Sequence, residues 1–218
     1  MSVERKRQFV DTAYRILKEE GVGEIKIRRI ADELKCTSTV VYRYFENVNH
    51  LIALASIRFL NDYFADFKRI TGDPKGMSHP YEMNLEIWDC LAHHAMKNIA
   101  VYENLFFGQY KEELGEIIFE YYQLYLDSDE QTFDGYTTSI LFNDDLEQRD
   151  LVLLRRAAAA GEISMKDTEV LSKLETYLFH GVLLKYMGED HKPGTAEKAY
   201  QEFREVLHNL ADKYRQKK

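Results

Sequence analysis

Cysteine is nearly missing from this 218-residue chain, and the two present, Cys36 and Cys90, exclude a disulfide framework. Neither stands at metal-ligand spacing from another cysteine or a nearby histidine, so both read as free thiols; no metal and no cofactor is expected. Proline and glycine are scarce, at three and eleven, while 45% of residues are apolar, so the chain is not compositionally disordered and can bury a core. Long hydrophobic runs are missing as well. The longest clean one is Leu51 to Ala55, far below the roughly 18 residues of a membrane span, and no membrane partner is expected. The N-terminus, Met1 to Gln8, is charged and lacks the apolar core and small-residue cleavage site of an export signal, which predicts a cytoplasmic protein.

Net charge is -8, which argues against indiscriminate coating of nucleic acid. The charge is uneven, however. Residues 1–50 carry a balance of +2 and residues 51–218 one of -10. A slightly basic head on an acidic body presents one face to phosphates while the rest is repelled from them.

Apolar periodicity is helical almost throughout and no segment alternates with period two for long, so an all-α fold is expected. Ser2 is a candidate N-cap for a first helix carrying Phe9, Ala13, Ile16 and Leu17 on one face and stopped by Gly21. A short helix follows with Ile27, Ile30, Ala31 and Leu34 inward and Lys26, Arg28 and Arg29 outward. Thr37 or Ser38 caps another, Thr39 to Phe45, with Val41 and Phe45 inward. Asn47 caps a long fourth helix from about Val48 to Ile70. The run Gly72-Asp73-Pro74-Lys75-Gly76 then breaks the pattern. Pro80 starts a helix to about Asn98, and further helices are expected near 99–110, 112–127, 129–142 and 145–160. Two long ones close the chain, from Lys166 to Met187 and from after Pro193-Gly194 to the basic tail.

Two short helices joined by a tight connection have the dimensions of a helix-turn-helix, whose second helix enters the major groove. That helix needs small or polar side chains at its N-terminal end and phosphate donors around it. Ser38, Thr39, Tyr42 and Arg43 meet the need. Arg43 can pair with a guanine edge or a phosphate, and Tyr42 can meet a thymine methyl or donate to a phosphate.

The run from Ala13 to Leu51, with Gly21, Ile30-Ala31, Val41-Tyr42, Tyr44-Phe45 and Leu51, resembles the N-terminal signature of TetR-type (tetracycline-repressor-like) transcriptional regulators. The resemblance covers about the first fifty residues. It implies an all-helical homodimer: a three-helix DNA-binding head over residues 1–47, joined by the long fourth helix to a ligand-binding and dimerisation body over residues 48–218. On this basis Lys26, Arg28, Ser38, Thr39, Tyr42, Arg43 and Tyr44 are the expected DNA contacts. The chain departs from the usual pattern at Lys26, Lys35, Thr39-Val40 and Val48, where the family carries a Thr, a turn Gly, a small residue followed by Thr, and a phosphate-gripping Lys. Lys26 compensates for the cation missing at Val48. Lys35 must take the backbone conformation that Gly would supply, at about 1 kcal/mol or more if it is left-handed.

The body is rich in aromatic residues, most of which must pack helices. Because family bodies open a cavity between the fifth, seventh and eighth helices, Trp88, Phe106, Tyr110, Tyr122, Tyr125 and His180 are the expected pocket residues for a small apolar or aromatic effector. His93 and His94 are adjacent and point about 100° apart, which is no zinc pair. The acidic groups Asp127, Asp129, Glu130 and Asp144, Asp145, Glu147 lack the pattern of a calcium loop. No phosphate-binding loop, nucleophile elbow or Cys/His/Asp constellation emerges, so no enzyme is expected.

On the last two helices, Val170, Leu171, Leu174, Tyr177, Leu178 and Gly181 form one stripe, and Phe203, Leu207, Leu210 and Tyr214 a second. Leu174, Tyr177, Leu178, Gly181 and the second stripe are the expected dimer interface. Together these features predict a homodimeric repressor of a palindromic operator on double-stranded DNA, controlled by a small molecule and coupled through the Val48 to Ile70 lever. The net acidity and Val48 motivate an alternative, a helical ligand carrier or interaction module with a degenerate head.

Overall fold

Ser2 opens the first helix by accepting a hydrogen bond from the Arg5 amide, and Gly21 ends it in a positive-φ conformation. Between them α1 (Val3–Glu20) buries Phe9, Val10, Ala13, Ile16 and Leu17, one stripe of the helical period. The computed structural model of the chain describes residues 2–125, 145–189 and 192–216. Among these, helices are the only extended regular structure, and the one pairing of strand type is an isolated bridge between Ile163 and Arg215. The expected helix near 129–142 and the acidic residues Asp127, Asp129 and Glu130 lie outside the described residues.

After α1 come α2 (Ile27–Glu33), α3 (Ser38–Val41) and α4 (Val48–Ser56). Asn47 caps α4, its side chain accepting from the His50 amide at 3.0 Å. Thr37 occupies the cap position of α3, although its hydroxyl makes no capping bond. The expected helix Thr39 to Phe45 is shorter than the pattern suggested: α3 ends at Val41, and Tyr42 to Tyr44 form turns in which the Arg43 and Tyr44 amides reach back only three residues, to Val40 and Val41.

The long fourth helix is also two. A 3₁₀ turn, Ile57–Leu60, separates α4 from α5 (Asn61–Thr71). In a 3₁₀ turn residues three apart eclipse, so Ile57 and Leu60 both enter the core while Phe59 packs at a tilt against Tyr14, with ring centroids 5.1 Å apart.

The body comprises α6 (Pro74–Ser78), α7 (Pro80–Ala95), α8 (Ile99–Phe107), α9 (Leu114–Leu124), α10 (Leu146–Ala159), α11 (Thr168–Tyr186) and α12 (Thr195–Tyr214). Its centre is α7, packed on α5, α10 and α12, while α11 lies across α8, α10 and α12. Trp88, Phe179 and Phe203 meet there with centroids 5.6 to 6.2 Å apart. Phe203 and Leu207 are fully buried inside the protomer. That corrects their expected place in a dimer interface, because the heptad-like stripe of α12 is the face it lays on α7 and α11. The exposed apolar residues lie elsewhere: Val170, Leu174, Tyr177 and Leu184 on α11, and Val206 on α12.

Candidate nucleic-acid interface

The turn between α2 and α3 is built by backbone chemistry. The Cys36 amide donates to the Ala31 carbonyl at 2.9 Å and the Lys35 amide to the Asp32 carbonyl at 3.2 Å, the paired bonds of a Schellman cap. That cap needs a left-handed residue, and Lys35 takes it at φ 51, the one non-glycine residue with positive φ among those described. The conformation expected of the missing glycine is therefore present without the glycine.

Behind the turn, Val41 and Phe45 are buried, and Phe9 holds Tyr44 and Phe45 at centroid distances of 5.5 and 6.0 Å. In front, Thr39, Tyr42 and Arg43 are exposed, Tyr42 by 55%, and Ser38 is half-buried at the start of the helix. Lys26 and Arg28 are exposed on the same head, Lys26 with Glu24 at 3.9 Å. Arg28 and Arg43 have no protein partner among the described residues. Arg29, read as a third outward cation, differs: it pairs with Glu20 and Glu33, and the Glu20 carboxylate is held below its usual range by the Arg29 hydrogen bond. Tyr44 departs from its expected role, since its ring packs on Phe9 and is half-buried.

The six expected pocket residues are not brought together. Phe106 lines a hollow of about 330 Å³ with Phe107, Lys111, Glu112, Leu146 and Thr176. Trp88 lies deeper, beside a cavity of about 20 Å³, and donates from Nε1 to Asp150 Oδ1 at 2.8 Å. His180 stacks face to face on Phe107 at 3.8 Å. Tyr110 and Tyr125 are corrected outright, because their hydroxyls are used to tie body to head. Tyr110 accepts from Asn47 Nδ2 at 2.9 Å and donates to Glu46 Oε2 at 3.2 Å, and Tyr125 donates to Asp11 Oδ1 at 2.7 Å. Tyr122 stands on α9 edge-on to Tyr121 and lines neither cavity.

This joint was missed in the sequence. Gln109 Oε1 accepts from Asn49 at 2.6 Å, Glu120 bonds both His50 and Lys6, and Arg7 donates to the Leu124 carbonyl. Burial pushes the Glu120 carboxyl up, but the bonds from His50 and Lys6 outweigh it and hold the group below its usual value. No local spacing signals such contacts, which join residues roughly 60 to 120 positions apart. Gly108, where α8 stops, fits the joint for a steric reason: a Cβ there would meet the Asn104 carbonyl oxygen at 2.2 Å.

A second feature also escaped the sequence reading. Asp150 on α10 and Glu175 on α11 are buried side by side beneath the aromatic cluster, with Asn84 Nδ2 donating to Glu175 Oε2 at 3.1 Å. Burial pushes Asp150 up to about 6, and burial together with the Asp150 charge pushes Glu175 well above the carboxylate range. Each keeps one oxygen without a hydrogen-bond partner. Both cysteines are free thiols, but the expectation that neither stands at ligand spacing from a histidine is corrected at Cys90: His94 follows four residues later on α7, and both approach Asp66 of α5.

No family model matches the chain. An HTH-type transcriptional regulator of Staphylococcus aureus (strain bovine RF122 / ET3-1) is 26% identical over 145 residues, 64% of this chain and 77% of that protein. A TetR transcription regulator from Haloarcula marismortui superposes with a TM-score of 0.59 at 16% identity, over 98% of this chain and 99% of the other. FadR of Thermus thermophilus, a TetR-family transcriptional repressor solved in complex with lauroyl-CoA, gives 0.56 at 12% identity over 93% of each chain. The chain thus has the fold of the TetR regulators and is similar in sequence to HTH-type transcriptional regulators.

Proposed function

We propose that the chain is a homodimeric repressor that reads a palindromic operator through α3 and releases it when a small molecule enters the body. One observation carries the reading. The α3 region turns Thr39, Tyr42 and Arg43 to solvent with Arg28 and Lys26 nearby, while Val41 and Phe45 lock its back into the head. Exposed cations, of which Arg28 and Arg43 have no partner among the described residues, set around a short helix with a polar front, fit the phosphates and base edges of a major groove. Ser38 joins the contact set at the helix start, and Tyr44 supports the helix from behind.

The dimer surface is proposed on the exposed face of α11, where Val170, Leu174, Tyr177, Gly181 and Leu184 follow one another at steps of four, three, four and three. Gly181 presents no side chain and nothing of the protomer lies within 4 Å of where a Cβ would stand, so a partner helix can approach closely. Leu178, Leu210 and Tyr214, all half-buried, flank this face. Phe203 and Leu207 support it from inside.

The effector is proposed to enter the hollow beside Phe106, where Phe107 and Leu146 supply apolar wall, Lys111 a cation, and Thr176 a buried hydroxyl with no partner. Coupling follows from the chain itself. The stretch from Phe106 to Glu112 lines this hollow and also carries Gln109 and Tyr110, which bond to the cap of α4. A ligand that favours one position of this stretch biases the head attached to it.

The test is selection of bound fragments from a random duplex pool, followed by titration of the selected palindrome at several salt concentrations. Expected is a salt-sensitive preference over random duplex that Tyr42→Ala with Arg43→Ala abolishes while the helical signal stays intact. Equal binding to every duplex sinks the reading.

A further inference from the structure

Cys90 and His94 stand four residues apart on α7 and so share one face of that helix. The neighbouring α5 lays Asp66 across the same face. His94 Nε2 lies 2.9 Å from Asp66 Oδ2, and one donor atom from each of the three residues lies within 4.8 Å of the other two. Arg69 holds the other Asp66 oxygen, Oδ1, at 3.2 Å, which leaves Oδ2 facing the imidazole and the thiol. All three residues are partly buried, and α5 and α7 pack closely along their lengths, so the donors are carried on two rigid supports.

A thiol, an imidazole and a carboxylate converging in this way are the donors of a first-row transition ion. Zn²⁺ takes these three ligand types in tetrahedral sites, and sites with three protein ligands keep the fourth position for water or another small ligand. Here the fourth direction opens to a surface hollow of about 240 Å³, walled by Glu86, Asp89, His93 and Tyr200. The charge around it suits a cation. Glu86 and Asp89 line the hollow beside Asp66, with Arg69 the one cation among its walls.

We propose that Asp66, Cys90 and His94 form a three-ligand site for a first-row transition metal ion of the Zn²⁺ and Co²⁺ class, with an open fourth position. Such an ion bridges α5 and α7 and fixes the half of the lever that lies in the body. The site shares no residue with the proposed effector hollow or with the DNA-reading face, so it stands or falls independently of both.

The experiment titrates the full chain, reduced and freed of metal, with Co²⁺ as the probe. Expected are one Co²⁺ per chain, a thiolate-to-cobalt charge-transfer band in the near ultraviolet with tetrahedral d–d bands in the visible, and loss of both on adding Zn²⁺. Cys90→Ser removes the charge-transfer band. His94→Ala and Asp66→Asn each weaken binding by more than the roughly 10- to 100-fold that loss of an outer-shell partner costs. Cys36→Ser changes nothing. Circular dichroism establishes that each variant is folded, and should Cys90→Ser not fold, the other two ligand variants decide the matter. Absence of the charge-transfer band at one equivalent, its survival in Cys90→Ser, or its loss in Cys36→Ser overturns the proposal.

Discussion

Head and body treat their charged groups in opposite ways. In the head, Arg28 and Arg43 stand in solvent without partners among the described residues, and the aromatic rings Phe9, Tyr44 and Phe45 are packed together behind them. In the body, Asp150 and Glu175 are taken out of water and set beneath Trp88, where burial raises both of them. An exposed cation contributes little to stability and is available to an outside partner. A buried acid pair costs stability, which the surrounding packing must offset. The head thus keeps its cations available at the surface, while the body gives up stability to hold two acids in its core.

The sharpest break in this comparison comes from the α11 face. Leu174→Asp with Tyr177→Asp, on exposed positions, is expected to halve the molar mass and to lower affinity for the palindrome by about 10²- to 10⁴-fold through lost avidity, leaving affinity for a single half-site unchanged. Light scattering and binding titrations in the same buffer check it. If molar mass stays the same, the dimer surface lies elsewhere.

Next in size is Asp150→Asn, which keeps an acceptor for Trp88 while removing the buried charge. Asp150 is raised from 3.8 to about 6, so its contribution is fully present below about 3.8 and is lost as pH rises through about 6. The variant is expected to melt higher than the parent at pH 7 and to lose stability less steeply between pH 4 and 6. Thermal melts across that range decide it, and a parent whose stability is flat there contradicts the buried pair.

Tyr110→Phe removes one accepted and one donated bond at the joint. The neutral bond from Asn47 is worth about 1 kcal/mol and the bond to the Glu46 carboxylate somewhat more, so melting is expected to fall by several degrees. Effector-driven release from the operator should fall much further, which distinguishes a coupling residue from one that only packs. An unchanged effector response with the same drop in melting leaves Tyr110 as mere packing.

The smallest effect belongs to Lys35→Gly, which relieves the left-handed residue of the α2–α3 turn. A gain of up to about 1 kcal/mol in chemical denaturation is expected, with the helical signal and operator preference unchanged.

The head was largely legible beforehand because its signals are local. A cap such as Ser2 or Asn47 acts within three residues and an apolar stripe such as Phe9, Ala13 and Ile16 within two turns, while the left-handed demand at Lys35 was legible only through the family resemblance. The body was legible only as a set of helices. Tyr110 and Tyr125 carry the same composition signal whether they line a pocket or anchor a joint, and their partners, Asn47 and Asp11, lie 63 and 114 residues away. Phe203 and Leu207 show the same ambiguity: a heptad-like stripe fits an internal neighbour as well as a partner subunit, and here α7 and α11 cover it.

By itself the order of residues settled that the chain is helical, where its head begins and ends its turns, and which faces of its helices are apolar. These properties depend on the backbone and on neighbours a few positions apart. Tertiary structure alone decided which apolar face was left exposed, which tyrosines became anchors, and that Asp66 would meet Cys90 and His94. Those outcomes depend on which helix lies against which, and packing is set by the sum of many weak contacts spread over the whole chain.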